Sequence, residues 1–334
     1  MSLLNKHAGI IATGSYVPER ILTNEYFEKT VDTNNDWIIS RTGIEERRIA
    51  DENTATSDLA TKAALNAMEK SGVAPEDIDL IIVATATPDM AFPSTACIVQ
   101  MNIGAVNAAA FDIEAACSGF MYGMSIADSF VRTGMYKKVL VIGAETLSKI
   151  IDYTDRNTCI LFGDGAGAVI ISEVEEGYGI LASHLGANGS AGHLLTLPAG
   201  GSRMPASEQT LKDKLHYVKM DGSEVFKFAI KIMGEAAEKA LENCGMKKED
   251  IDFLIPHQAN TRIIESAVRR LKISPDKVFV NVNKYGNMSA ASIAVALDEA
   301  NEQQLLKDGN IVVLVGFGGG LTWGSSVIRW KNYR

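Results

Sequence analysis

Two stretches of the chain carry the same hydrophobic rhythm. Ala60, Ala63, Ala64, Ala67 and Met68 recur at the three- and four-residue spacing of one helix face, and so do Met233, Ala236, Ala237, Ala240, Leu241 and Cys244. Gly72 and Gly245 come next, where glycine accommodates the left-handed end of a helix. The apolar runs LIIVATA (80–86) and FLI (253–255) follow and suit strands buried on both faces. Then CSGFMYGMSIADSFVRTG and SAASIAVALDEANEQQLLKDG, both helical in pattern, lead into the apolar strands VLVIGA and IVVLVG.

The rhythm is a duplication. GVAPEDIDLII (72–82) aligns with GMKKEDIDFLI (245–255) at an offset of 173 residues, and the same offset lays KVLVIGAE (138–145) on IVVLVGFG (311–318). Alternating helices and buried strands predict α/β layers. The doubling predicts two similar halves, residues 1–174 and 175–334, with a site where they meet. Residues 14–50 and 187–221 break the repeat; they are polar and turn-rich, and are expected to be irregular loops that wall or cover that site.

Composition narrows the function. The chain has 334 residues, is 46% hydrophobic and 22% charged, and carries a formal net charge of -9. This is a soluble composition without the basic excess of a general nucleic-acid binder. No apolar run reaches the ~20 residues of a membrane span, and the N-terminus lacks a signal-peptide layout, so a cytoplasmic protein is expected. Cys97, Cys117, Cys159 and Cys244 show no CxxC and no regular spacing, which suggests neither a zinc site nor a disulfide framework.

Cys117 is the candidate nucleophile. It lies in FDIEAACSGFMYGMS, where strand-like alternation gives way to small residues and helical spacing. That places it at a strand-to-helix turn, where the positive helix end is expected to lower the thiol pKa. Local context alone divides evenly between a reactive thiol and a packed, inert one. The other three cysteines read as packing residues. His257 follows Pro256 at the end of the FLI strand, at the sheet edge that commonly carries active-site groups; as an alternative, it anchors that turn. His7, His184, His193 and His216 read as surface or loop residues. Asn287, in NKYGNMSAAS, reads alone as a cap or turn residue. The repeat offset carries Cys117 onto position 290, so Asn287 lies near its pseudo-symmetric counterpart. The glycine-rich GFGGG (316–320) and GDGAG (163–167) precede strand-like sequence, whereas a dinucleotide fingerprint needs a helix next. A tight glycine turn can instead aim a backbone N–H into an oxyanion hole.

Together ACSGF, PHQAN, YGNMSAAS and GFGGGLTWGS, with DWIISRTGIEERRIA (36–50), DRNTCILFGDGAGA (155–168) and MDGSEVFKFA (220–229), resemble the 3-oxoacyl-acyl-carrier-protein synthase III family, the initiating condensing enzymes of bacterial fatty-acid synthesis. The resemblance runs in order over nearly the whole chain. It implies a five-layered αβαβα thiolase-like fold, usually homodimeric, and a triad of Cys117, His257 and Asn287. It implies that Trp37 and Arg41, with Arg156 nearby, hold the adenine end of coenzyme A and that Asn260 faces its pantetheine arm. Gly319 and Cys117 would supply oxyanion-hole N–H groups, and Phe92 would reach across a dimer interface to the partner's acyl pocket. From the residues alone, Trp37 and Arg41 read equally as a surface aromatic and a solvated charge, and Phe92 as core packing. The implied reaction joins an acyl group carried on Cys117 to malonyl-acyl-carrier protein with loss of carbon dioxide. It needs no metal or redox cofactor, since acyl-coenzyme A is a substrate. An acidic carrier protein would need a local basic patch; Arg262, Arg269, Arg270 and Lys272 follow PHQAN, and the first three are spaced to share a helix face. Alternatives are a same-fold condensing enzyme or acyltransferase of secondary metabolism, a Cys-His-Asn thiol hydrolase, and a non-catalytic partner subunit.

Overall fold

The structure, a computed structural model, describes residues 6–333. Nine strands build two main sheets: β1 (His7–Tyr16), β2 (Leu80–Ala84), β3 (Ala109–Ile113), β4 (Lys138–Thr146), β5 (Asp164–Val174), β6 (Gly179–Ala187), β7 (Phe253–Pro256), β8 (Ile311–Gly318) and β9 (Thr322–Arg329). Seven helices of eight or more residues accompany them among the described residues: α1 (Asn35–Thr42), α2 (Thr56–Ser71), α3 (Thr95–Ile103), α4 (Gly119–Thr133), α5 (Gly222–Asn243), α6 (Thr261–Leu271) and α7 (Ala291–Glu302). The first sheet has the order β1-β5-β4-β2-β3 and the second β7-β8-β9-β6.

The two sheets share one pairing pattern. In each, two strands run parallel (β2 with β4, β7 with β8) and two more add antiparallel. The second sheet's counterpart of β3 is reduced to a single bridge between Leu254 and Val278. The sequence offset holds element by element: β2 begins at Leu80 and β7 at Phe253, β4 at Lys138 and β8 at Ile311, and short 3-10 turns occupy Pro75–Asp77 and Lys248–Asp250. Gly72 and Gly245 both take the left-handed conformation, at φ 67° and 71°.

Strand alternation sorts side chains into layers. Leu80, Ile82, Val139 and Val141 face inward, where they meet Phe120, Met121 and Met124 of α4, Ile293 and Leu297 of α7, and Val312 and Leu314 of the second sheet. Ile81, Val83, Leu140 and Ile142 face the opposite way, onto α2 and α3. Leu254, Val313 and Val315 face outward onto α5 and α6. The result is the expected five-layer αβαβα arrangement, with α4 and α7 held between both sheets.

Glycine sets the spacing of the middle layer. A Cβ on Gly143 of β4 would lie 2.2 Å from the Ala290 carbonyl oxygen, and one on Gly167 of β5 would lie 2.5 Å from Ala294 Cβ. Gly318 is pressed against the turn before α4, since a Cβ there would lie 2.5 Å from the Cys117 nitrogen.

Three expectations need correction. The segments 14–50 and 187–221 are not irregular. The first folds a hairpin of Ile21–Thr23 with Glu46–Arg48 plus α1 and a short helix, and the second holds a helix at Glu208–Lys212 and a two-residue strand pair. Cys97 lies in a helix as expected but is exposed, because it sits at the open edge of the first sheet, its Sγ 3.8 Å from the Ala110 carbonyl of β3; Cys159 is buried and Cys244 partly so. His7 and His184 belong to strands rather than loops.

Gly143→Ala is expected to destabilise the protein by about 1–3 kcal/mol or more, because the methyl group meets backbone rather than a flexible side chain. Gly201→Ala, with open space around it, should be near neutral. Chemical denaturation midpoints check the pair.

Candidate active site

The chain turns sharply before α4. Ala116 adopts φ 44°, unfavourable for a residue with a Cβ, and residues Ala116–Ser118 form one 3-10 turn leading into the helix. Three contacts hold the turn. The Glu114 carboxylate accepts from the Ala116 N–H at 2.9 Å, the Ser118 hydroxyl donates to the Ala115 carbonyl at 2.8 Å, and the same hydroxyl lies 2.7 Å from Thr322 Oγ1 of β9. Cys117 is thereby fixed between the two sheets, buried at the helix start.

The same strain recurs in the second half. Ser289, offset from Ala116 by 173 residues, has φ 45° and precedes α7. Asn287 stands two residues before it. The Asn287 side-chain oxygen accepts from the Ser289 N–H at 2.8 Å, so its NH₂ is the end left to donate. Its backbone is tied to the loop beneath the site: its N–H donates to the Leu161 carbonyl at 2.8 Å, and its carbonyl accepts from the Gly163 N–H at 3.0 Å. Ser289 lines one cavity with Cys117, and Asn287 lines another with it.

His257 leaves β7 with its N–H donating to the Val315 carbonyl at 2.8 Å. Gln258 locks the following loop, donating to the carbonyls of Pro256 and Phe279 and accepting from the N–H groups of Asn281 and Val282. The imidazole is fully buried edge-on to Phe317, and neither ring nitrogen has a protein partner. Burial drives its pKa down to about 3, so the ring is neutral at pH 7 and has a free lone pair.

The Cys117 thiol departs from expectation. Burial pushes it up to about 12, with the nearby Glu145 carboxylate adding to the rise, although the polar Ser289 and Asn287 side chains act in the opposite sense. A helix start favours a thiolate only where solvation is retained, and here desolvation wins. The resting pair is a neutral thiol and a neutral imidazole.

Two cavities meet at this sulfur. One, of about 230 Å³, is lined by Trp37, Arg41, Arg156, Asn260, Phe226, His257 and Asn287 together with Cys117. The other, of about 350 Å³, runs from Cys117 past Leu147, Ile150, Leu197 and Val218, with Gly319 and Ser289 at its polar end. Phe162 and Leu195 line both and divide them. The segments 14–50 and 187–221 therefore do supply walls, through Trp37 and Arg41 and through Leu195, Leu197 and Val218.

The remaining candidates divide. Arg156 lies over the Trp37 ring at 4.6 Å and beside Asp32 at 3.7 Å. Asn260 caps α6, accepting from the Arg262 N–H and donating to the Arg41 carbonyl, both at 2.9 Å, so its amide is engaged within the protein. Phe92 is not core packing: it is 85% exposed and lines neither cavity of its own chain. On α6, Arg270 is paired with Glu235 and Glu238 of α5, and Arg269 with Glu265, whereas Arg262 lies over Phe226 at 5.1 Å, beside the first cavity. Glu145 and Ser289 were not singled out from the sequence. The repeat offset, which relates Ser289 to the residue before Cys117, is the signal that could have found Ser289; Glu145 has none, because its carboxyl is brought in from another strand.

Comparison with known proteins agrees with this geometry. Residues 111–189 match 3-oxoacyl-[acyl-carrier-protein (ACP)] synthase III, and residues 241–330 match the C-terminal part of the same family. A beta-ketoacyl-[acyl-carrier-protein] synthase III of Caldanaerobacter subterraneus subsp. tengcongensis is 64% identical over 97% of this chain and 98% of its own, and that of Natranaerobius thermophilus is 61% identical over 97% and 99%. The crystal structure of 3-oxoacyl-[acyl-carrier-protein] synthase III from Aquifex aeolicus VF5 superposes with a TM-score of 0.89 at 48% identity, covering 97% of this chain and 100% of that one. A chain so similar over its whole length, with the five-layer thiolase-like fold, belongs to the 3-oxoacyl-[acyl-carrier-protein] synthase III family of condensing acyltransferases.

Proposed function

We propose that this chain condenses an acyl-coenzyme A starter with malonyl-acyl-carrier protein to give 3-oxoacyl-acyl-carrier protein, coenzyme A and carbon dioxide, initiating fatty-acid synthesis through an acyl-Cys117 intermediate. The observation that carries this reading is the meeting of two cavities at one buried thiol beside a neutral histidine. A ping-pong acyl transfer needs one route for the thioester carrier to come and go, and a separate space in which the acyl chain stays.

In the first half-reaction the Cys117 sulfur attacks the thioester carbonyl while its proton passes to His257. Transfer is coupled to attack, since burial disfavours both the free thiolate and the free imidazolium. Backbone N–H groups of Cys117 and Gly319 receive the developing oxyanion, each such donor being worth about 3–4 kcal/mol. The coenzyme A thiolate departs with the proton from His257, which returns to neutrality. Trp37, Arg41 and Arg156 hold the nucleotide end, and Asn260 braces the wall along the pantetheine. The apolar cavity past Leu147 and Leu197 takes the acyl chain.

In the second half-reaction the malonyl carboxylate leaves as carbon dioxide, and its electron pair forms an enolate on the thioester oxygen. The Asn287 NH₂ and a protonated His257 nitrogen donate to that oxygen. A neutral imidazole can do this from one ring nitrogen, as can an amide. The enolate carbon then attacks the acyl carbonyl, the bond to Cys117 breaks, and the thiolate regains a proton from water.

The assembly is a homodimer in this reading. Phe92, Met101 and Val106 are exposed near the free edge of the first sheet, at β3, and Phe92 of each protomer closes the partner's acyl cavity. Residues 1–174 and 175–334 are the two halves of the duplication, and the enzyme works in the cytoplasm. The acidic carrier protein docks on α6 around Arg262 and Arg269, while Arg270, neutralised by two glutamates, contributes least.

Intact-protein mass after mixing with acyl-coenzyme A should rise by one acyl group in the wild type and not at all in Cys117→Ala; acylation of both would sink the assignment. With the thiol pKa raised, alkylation of Cys117 should keep accelerating by about tenfold per pH unit beyond pH 8, whereas a plateau below neutrality would mean a preformed thiolate. Arg262→Glu with Arg269→Glu should raise the KM for malonyl-acyl-carrier protein by about tenfold while Cys117 is still acylated; steady-state kinetics at two salt concentrations would read this, and an unchanged KM would rule out α6 as the docking face.

A further inference from the structure

Arg47 lies on the hairpin that pairs Ile21–Thr23 with Glu46–Arg48, and no step above uses it. Its side chain is 0% exposed. Among the described residues no carboxylate pairs with it, and its partners are all neutral. Nη1 donates to the Leu22 carbonyl and to the Asn24 side-chain oxygen, both at 3.0 Å. Nη2 donates to that same Asn24 oxygen at 3.1 Å and to the Ile160 carbonyl at 2.7 Å. The guanidinium carbon lies 4.6 Å from the centre of the Phe27 ring. Burial lowers the pKa to about 10, which leaves the group charged at neutral pH. Burying a charge among neutral groups costs stability, and well-packed apolar residues often avoid that cost.

The segment that Arg47 grips runs directly beside Asn287. The Leu161 carbonyl accepts from the Asn287 N–H at 2.8 Å, and the Gly163 N–H donates to the Asn287 carbonyl at 3.0 Å. Phe162 and Asn287 thus pair as neighbouring strands do. The stem of Arg47 packs against both sides of this pair. A Cβ on Gly163 would lie 3.0 Å from the Arg47 Cβ, and one on Gly286 would lie 3.4 Å from it. Cys117 and His257 are held by other contacts: the first by Ser118 with Thr322, the second by the Val315 carbonyl and the loop that Gln258 locks.

We propose that Arg47 is a positioning residue for Asn287, fixing through the Ile160–Gly163 segment the donor that the second half-reaction needs. This rests on the reading of Asn287 as an enolate donor. The planar guanidinium presents its donors in a rigid fork, so one side chain sets the spacing of three acceptors on two segments. Asn24 passes the same hold to α1: its NH₂ donates to the Asn35 side-chain oxygen at 3.0 Å and to the Ile44 carbonyl at 2.8 Å, at the two ends of that helix. Because α1 carries Trp37 and Arg41, loosening Arg47 also weakens the grip on acyl-coenzyme A, and the test therefore supplies the starter at saturation.

The test compares wild type, Arg47→Lys, Asn287→Ala and the double variant, with thermal melts to establish folding. Single-turnover acylation of Cys117 by saturating acetyl-coenzyme A is read by intact mass. Carbon dioxide release is then measured after malonyl-acyl-carrier protein is added to the acylated enzyme. Arg47→Lys keeps the charge but loses the fork. It should slow carbon dioxide release by about tenfold or more while the acylation rate holds. In the Asn287→Ala background the same substitution should add no further loss, since the group it positions is gone. A merely structural role would lower both half-reactions together, or lower carbon dioxide release equally in both backgrounds; either result, or release undiminished in folded Arg47→Lys, overturns the proposal. Should Arg47→Lys not fold, Asn24→Ala, which removes the acceptor that Nη1 and Nη2 share, is judged by the same criteria. A failure of the underlying reading shows separately, as Asn287→Ala enzyme that releases carbon dioxide at the wild-type rate, and it takes this proposal with it.

Discussion

The starts of α4 and α7 can reach the middle of the molecule only where the strands facing them lack a side chain. Gly143 gives way to the Ala290 carbonyl, Gly167 to Ala294, and Gly318 to the backbone of Cys117. Each contact is too short for a Cβ, so these are steric requirements rather than preferences. What they enforce is a shared middle layer. One apolar core spans both sheets through the two helices, so the halves are not separable units, and the site sits where both sheets and both helix starts converge.

That placement decides the electrostatics. A thiol at a helix start in water would ionise more readily, but a thiol sealed between two sheets does not, because desolvation outweighs the helix end. The same burial strips the proton from His257. The Cys117 thiol and the His257 imidazole therefore both rest uncharged. In the proposed reaction charge is generated only as a carbonyl arrives to receive it, whereas a preformed ion pair would attack adventitious electrophiles through the open cavities.

Much of this was legible in the sequence. The offset between Gly72 and Gly245 marks the duplication, and the unbroken apolar runs LIIVATA and IVVLVG mark strands buried on both faces. Cys117, His257 and Asn287 were each ambiguous in local context, and the structure brings all three to one cavity. The misses have physical causes. The thiol pKa was misjudged because local sequence reports the helix end but not the depth at which the turn is buried. Cys97 was misplaced because α3 lies along the open edge at β3, where even a side chain reaching the Ala110 carbonyl stays exposed. Arg270 was counted with a free basic face because its partners, Glu235 and Glu238, lie on α5 and enter only through tertiary packing. Glu145 was missed for the same reason: its carboxyl faces the Ala290 N–H across the boundary between the halves.

The duplicated turn shows how one geometry came to serve two purposes. Ala116 and Ser289 share a strained backbone, φ 44° and 45°, at equivalent positions before equivalent helices. Strain of this kind costs on the order of 1–3 kcal/mol at each site and persists only where surrounding contacts enforce it. In the first half the next residue is Cys117, the proposed nucleophile. In the second half the next residue is Ala290, whose methyl group leaves the centre clear, and Ser289 and Asn287 line the cavities instead. A bulkier side chain at 290 would press on Gly119, where a Cβ would lie 3.8 Å from the Ala290 methyl, while the Ala290 backbone is already packed on Gly143. The equivalent position therefore carries a small side chain, and the two copies of the turn present different groups to the same place.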